Sequence, residues 1–99
     1  MANNRWSFGT GVKTAAAAIC TTRCVLHGII AVADGANDLT LTIYNDPATT
    51  NNQALPPIVI DAAVGFDGLL GLDMIMNAGI YVDFSTSGTG AYTVLFSKD

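Results

Sequence analysis

Between positions 39 and 44 the chain reads LTLTIY, with Leu39, Leu41 and Ile43 alternating against Thr40, Thr42 and Tyr44. Strict alternation of this kind predicts a half-buried β-strand. The preceding run, CVLHGIIAVA, carries branched apolar residues on both faces and predicts a strand inside a packed sheet or between two layers. Asp34 to Asn37, DGAN, is the short polar link between them and predicts a hairpin. Upstream, GVKTAAAAIC is too short and too closely bounded by Gly11 and Thr21 for a stable helix, and it predicts a strand. Thr21-Thr22-Arg23 then forms a turn that would set Cys20 and Cys24 opposite one another on neighbouring strands.

The second half continues in the same idiom. NDPATTNNQALPP is a long irregular connection, and the two prolines lead into IVIDAAV, where Ile58 and Ile60 face one way. A leading proline suits an edge strand. In GFDGLLGLDMIMN the glycines interrupt any helix, and only a short strand around Met74 to Met76 is predicted. GIYVDFS turns Ile80, Val82 and Phe84 inward, STSGTG spans a turn, and AYTVLFS returns as the second arm of a terminal hairpin. Short strands at near-regular spacing, with no convincing helix, predict an all-β fold: a small antiparallel β-sandwich of seven or eight strands. Residues 1–99 are read as one domain. Trp6 and Phe8 belong either to its edge or to an N-terminal arm over residues 1–10.

Composition sharpens this picture in two respects. Apolar residues make up 51% of the chain and charged ones 12%, against roughly 25% charged in ordinary soluble domains. So small a domain has little interior, and the surplus predicts a homo-oligomer or docking on a larger assembly. The net charge of −4 arises from eight acidic residues, all Asp, against Arg5, Lys13, Arg23 and Lys98. Four scattered cations cannot follow a phosphate backbone, so nucleic acid is not an expected partner. No run reaches the ~18 apolar residues of a membrane-spanning helix, and residues 1–14 lack the basic start and apolar centre of a signal peptide. No membrane partner is expected, and the chain is read as made in the cytoplasm.

Candidate chemistry is sparse. His27 is the one histidine and lies within an apolar strand, where packing or interface contact is the expected role. Neither a nucleophile-elbow, a P-loop nor a metalloprotease motif is present, and the reading is non-enzymatic, with no catalytic residues and no cofactor. Cys20 and Cys24, with a single histidine, make a poor zinc set; they are structural thiols or the two halves of a strained disulfide. Asp34, Asn37, Asp38, Asn45 and Asp46 supply oxygens that calcium accepts, but these residue types also build β-turns, and no metal site is assigned. For Leu69, Leu70, Leu72, Met74, Ile75 and Met76 both core and interface roles stand open. Trp6, Phe8, Met74 and Met76 are the residues taken forward as interface contacts.

The succession CVLHGIIAVADGANDLTLTIYNDPATT followed by NAGIYVDFSTSGTGAYTVLFS, within residues 19–97, resembles small β-sandwich structural proteins of tailed bacteriophages. The resemblance implies a virion protein, assembled in the host cytoplasm, whose partners are the major capsid protein or other virion proteins. Head decoration or cement is the leading role implied; a fibre, neck or tail component, or a module binding carbohydrate on a host surface, is the alternative.

Overall fold

The computed structural model describes residues 8–62 and 66–98, and among them every regular element is a strand. In chain order these are β1 (Phe8–Gly9), β2 (Ala17–Cys20), β3 (Cys24–Ala33), β4 (Leu39–Tyr44), β5 (Ile58–Ile60), β6 (Phe66–Met76), β7 (Ile80–Thr86) and β8 (Gly90–Lys98). They form two antiparallel four-stranded sheets. Sheet I has the order β1-β8-β3-β6 and sheet II the order β2-β7-β4-β5. The predicted all-β sandwich is therefore the observed one.

The pairing follows one rule. β1 pairs with β8, β2 with β7, β3 with β6 and β4 with β5, as though one long hairpin had been folded at the 45–57 loop. Rolling that hairpin up brings β3 against β8 and β4 against β7. Eight strands wound in this way have the topology of a jelly roll. Every connection except β4 to β5 consequently passes from one sheet to the other.

Three expectations are corrected by this topology. Asp34 to Asn37 does not close a hairpin, because β3 lies in sheet I and β4 in sheet II. Residues 87–89 likewise carry the chain from β7 in sheet II to β8 in sheet I, so the terminal hairpin is a crossing as well. Thr21 to Arg23 crosses between sheets too, and Cys20 and Cys24 do not face each other across paired strands. A polar turn marks where a strand stops; which neighbour the next strand selects is settled by burial in the whole sandwich. The fourth correction concerns β6. Its eleven residues make it the longest strand, where only a short one around Met74 to Met76 was expected.

The core lies between the sheets. Leu26, Ile29, Val94 and Tyr92 from sheet I meet Leu39, Leu41, Ile43, Ile60, Ile80 and Val82 from sheet II, all buried. Phe84 and Tyr92 stack across the layers, with ring centroids 5.8 Å apart. Along β4 the buried positions are Leu39, Leu41 and Ile43, as the alternation requires.

Strand β3 behaves differently. Cys24 and Leu26 point inward, then the parity changes and Ile29, Ala31 and Ala33 are the buried positions. The change occurs at His27, where both ladders lose register: Gly71, Leu72 and Asp73 of β6 lie opposite this one residue, and β8 passes directly from Phe96 to Leu95. This bulge explains why CVLHGIIAVA looks apolar on both faces. Gly71, at φ 77°, supplies the left-handed residue the β6 side of the bulge requires.

Candidate functional site

The bulge gathers three polar side chains from three adjacent strands. His27 of β3 is bonded through Nδ1 to Oδ1 of Asp73 on β6 at 2.9 Å, and through Nε2 to Oγ of Ser97 on β8 at 2.8 Å. Neither partner is close in sequence, lying 46 and 70 residues away. Asp73 stands on β6 where the ladder opens, and Ser97 stands outside Phe96 on β8, opposite Val25.

A serine, a histidine and an aspartate joined in this order is the connectivity of a nucleophilic triad. Its burial runs in the opposite sense. Ser97 is 2% exposed, whereas the Asp73 side chain is 82% exposed and that of His27 20%. A nucleophile needs a free approach for the carbonyl it attacks, and its carboxylate partner is of most use when shielded from water. Here the serine is enclosed and the carboxylate is hydrated. What the arrangement does well is to satisfy a buried hydroxyl. Neutral His27 donates from Nδ1 to Asp73 and accepts from Ser97 at Nε2; protonated His27 donates at both nitrogens and the Ser97 hydroxyl becomes the acceptor. The chain of bonds closes in either charge state, and it staples β6, β3 and β8 together where their ladders are interrupted.

The surface around this staple is apolar. On the outer face of sheet I, Val25 pairs with Ser97 and Ile75, Ile30 with Thr93, and Val32 with Ala91. Ile75 is 51% exposed and Val32 41%, and Val12, 74% exposed, shares a shallow depression with Ile30, Val32, Ala91 and Thr93. Sheet II presents a different outer face. Its cross-strand pairs are Thr40 with Ser85, Thr42 with Asp83 and Tyr44 with Tyr81, and the two tyrosine rings lie 6.5 Å apart. The outer face of sheet II is thus mainly polar, with Val59 its exposed aliphatic residue, whereas that of sheet I is mainly aliphatic around His27, Asp73 and Thr93.

The four residues expected at an interface separate. Trp6 lies outside the described residues. Phe8 begins β1 and pairs with Phe96 at the edge of sheet I. Met76 is 1% exposed and belongs to the core, so as an interface contact it is withdrawn; Met74 is half-buried against the same core. Both methionines occupy the inward parity of β6, opposite Cys24 and Leu26. Between them Ile75 points outward, and it is the residue of that segment open to contact.

Cys20 and Cys24 are free and buried within the core. Burial, with the neighbouring Cys20 thiol contributing, pushes the Cys24 thiol up to about 12, and a thiol so protonated is a poor nucleophile and metal ligand. The loop oxygens are occupied by their own turns. Asp34 accepts from the backbone N–H groups of Ala36, Asn37 and Thr89, Asp46 from those of Ala48 and Thr49, Asp38 from that of Ala62, and Asn45 from that of Ala78. Asp34 and Asp38 precede β4 and Asn45 and Asp46 follow it, so its length of roughly 20 Å, at ~3.3 Å per residue, divides them. Among the described residues no group of three or more His, Cys or Asp side chains is placed to hold a metal ion. Comparison with protein-family models, with curated proteins and with solved structures gave no match.

Proposed function

We propose that this chain is a non-enzymatic virion structural protein, a decoration or cement protein of a tailed-phage head, that works through apolar contact with the shell or with sister copies. The observation that carries this reading is the aliphatic outer face of sheet I on a sandwich whose core is already filled between the sheets. The resemblance of residues 19–97 to small phage structural sandwiches supports it, as does the jelly-roll topology, which recurs in viral shells. Topology is an analogy and does not by itself assign a task. Many modest contacts repeated over a shell would stiffen it without any one of them being strong.

The test is quantitative mass spectrometry of particles purified from the source culture. A copy number comparable to the major shell protein is the expected result. A much smaller number would move the chain to a fibre, neck or tail, and its absence from particles would remove the virion reading. The outer face of sheet II favours a second reading, a carbohydrate-binding surface. There Tyr44 and Tyr81 offer ring faces beside Thr42 and Asp83, which can hydrogen-bond sugar hydroxyls. A glycan array without a hit would end it.

A further inference from the structure

We infer that the outer face of sheet I is an interface between two copies of this chain, packed sheet on sheet about a twofold axis. The inference rests on the reading of that face as a contact surface, though not on its being in a virion.

Size supports it first. Three long strands, β8, β3 and β6, at ~4.8 Å spacing and ten residues of β3 at ~3.3 Å make a face of about 14 by 33 Å, a footprint of roughly 460 Å², with the two residues of β1 at its edge. Side chains standing off the sheet and the flanking Val12 add to this, toward the ~800 Å² that a standard interface takes from each partner.

Charge distinguishes the occupant. The chain carries a net charge of −4, yet the outer positions Val25, Ile30, Val32, Thr93, Leu95 and Ile75 hold no charge. Asp73, at the β6 edge, is held by His27 of its own chain. Apart from that carboxylate, which is 82% exposed, none of these outer positions brings like charge to a contact between two acidic copies. A basic partner, by contrast, would be drawn to the carboxylates of Asp34, Asp46 and Asp83, which lie in loops or on the outer face of sheet II. Shape agrees with self-pairing. Val25, Ile30, Val32, Thr93 and Ile75 are β-branched, forming a stiff surface, and sheets of this kind pack face to face at about 10 Å with strands roughly aligned. A twofold contact presents the same patch from both sides, so complementarity of one copy to the other is built in.

Sedimentation of the full chain over a range of concentrations tests this, with Val32→Lys and Ile75→Lys as face variants and Val59→Lys as control. Val59 is equally open, at 56%, but belongs to sheet II. The expected result is a reversible monomer–dimer equilibrium weakened at least ~10-fold by either face variant and left unchanged by the control. A wild-type chain that stays monomeric at every concentration overturns the inference, and so does a dimer weakened only by Val59→Lys. If a lysine variant fails to fold, isotope-filtered contacts in mixed-labelled wild-type protein decide the matter. Cross-chain contacts from Val32 or Ile75 support the interface, and a dimer lacking them refutes it. A dimer in solution from a chain missing from particles would keep this inference and remove the virion reading. A monomer that binds particles stoichiometrically would do the reverse.

Discussion

One carboxylate ties two crossings of the chain together. Asp34 accepts from Ala36 and Asn37 in its own turn and from Thr89 in the β7–β8 crossing, each at 2.8 Å. These backbone donors, Thr89 foremost, hold its carboxyl well below the usual carboxylate range. A group with a lower pKa folded than unfolded favours folding above the unfolded value near ~3.9, and the contribution is lost as pH falls through the folded value. Asp34→Ala should therefore melt below the wild type at pH 7, with the gap narrowing from about pH 4 downward. A gap constant down to pH 2 would assign the effect to the turn's shape instead of its charge. At the other extreme, burial raises both Tyr92 and Cys24 to about 12. Both are neutral when folded, so their contribution is complete below the unfolded thiol value of ~8.5 and is lost as pH climbs toward 12. Tyr92→Phe removes the bond to the Ala15 carbonyl at 2.8 Å and should cost ~1 kcal/mol at pH 7. Above pH 10 its melting temperature should fall less steeply than that of the wild type. His27→Ala leaves the enclosed Ser97 hydroxyl without its partner, and denaturant unfolding should report a loss of ~1–3 kcal/mol.

At the scale of elements, the bulge in β3 decides the most. It explains why alternation could be read cleanly in β4 and not in β3: one residue out of register turns a single-faced pattern into an apparently two-faced one. The glycines of β6 misled for a related reason. They read as breaks, yet Gly71 provides the bulge and Gly68 permits close packing, since a side chain there would run into the Ile29 carbonyl and the Ile30 backbone of β3. Gly68→Ala should accordingly lower stability by ~1–3 kcal/mol, measured by chemical denaturation, as an overpacked site does. A neutral outcome would mean that β6 can slide outward at no cost.

For the whole molecule, strand positions and core faces were legible because periodicity is a local property of the chain. Leu39, Leu41, Ile43, Ile80 and Val82 all lie where alternation put them. Partnership was not legible. DGAN and STSGTG are turn sequences in either case, and only the fit of two layers decides whether the next strand returns or crosses. The same limit governed the site. His27 stood out as a lone histidine, but nothing in the spacing announced Asp73 or Ser97, which reach it only through the ladders of sheet I. The contrast between the outer faces also belongs to this scale. The mainly polar outer positions of one sheet and the mainly aliphatic ones of the other become surfaces only after the roll has closed.

The pairing of first strand with last sets the order in which the chain can fold as it is made. When a ribosome has delivered residues up to β5, the β4–β5 pair is the one rolled-up pair whose strands both exist. Each later strand finds a partner further back, and β8, arriving last, must enter between β1 and β3. Sheet I therefore stays open until β8 has emerged. Refolding should be slow for so small a domain, in the millisecond-to-second range of folds dominated by distant pairings. Deleting residues 90–99 should leave an unfolded chain, because the missing strand is the one that joins β1 to β3.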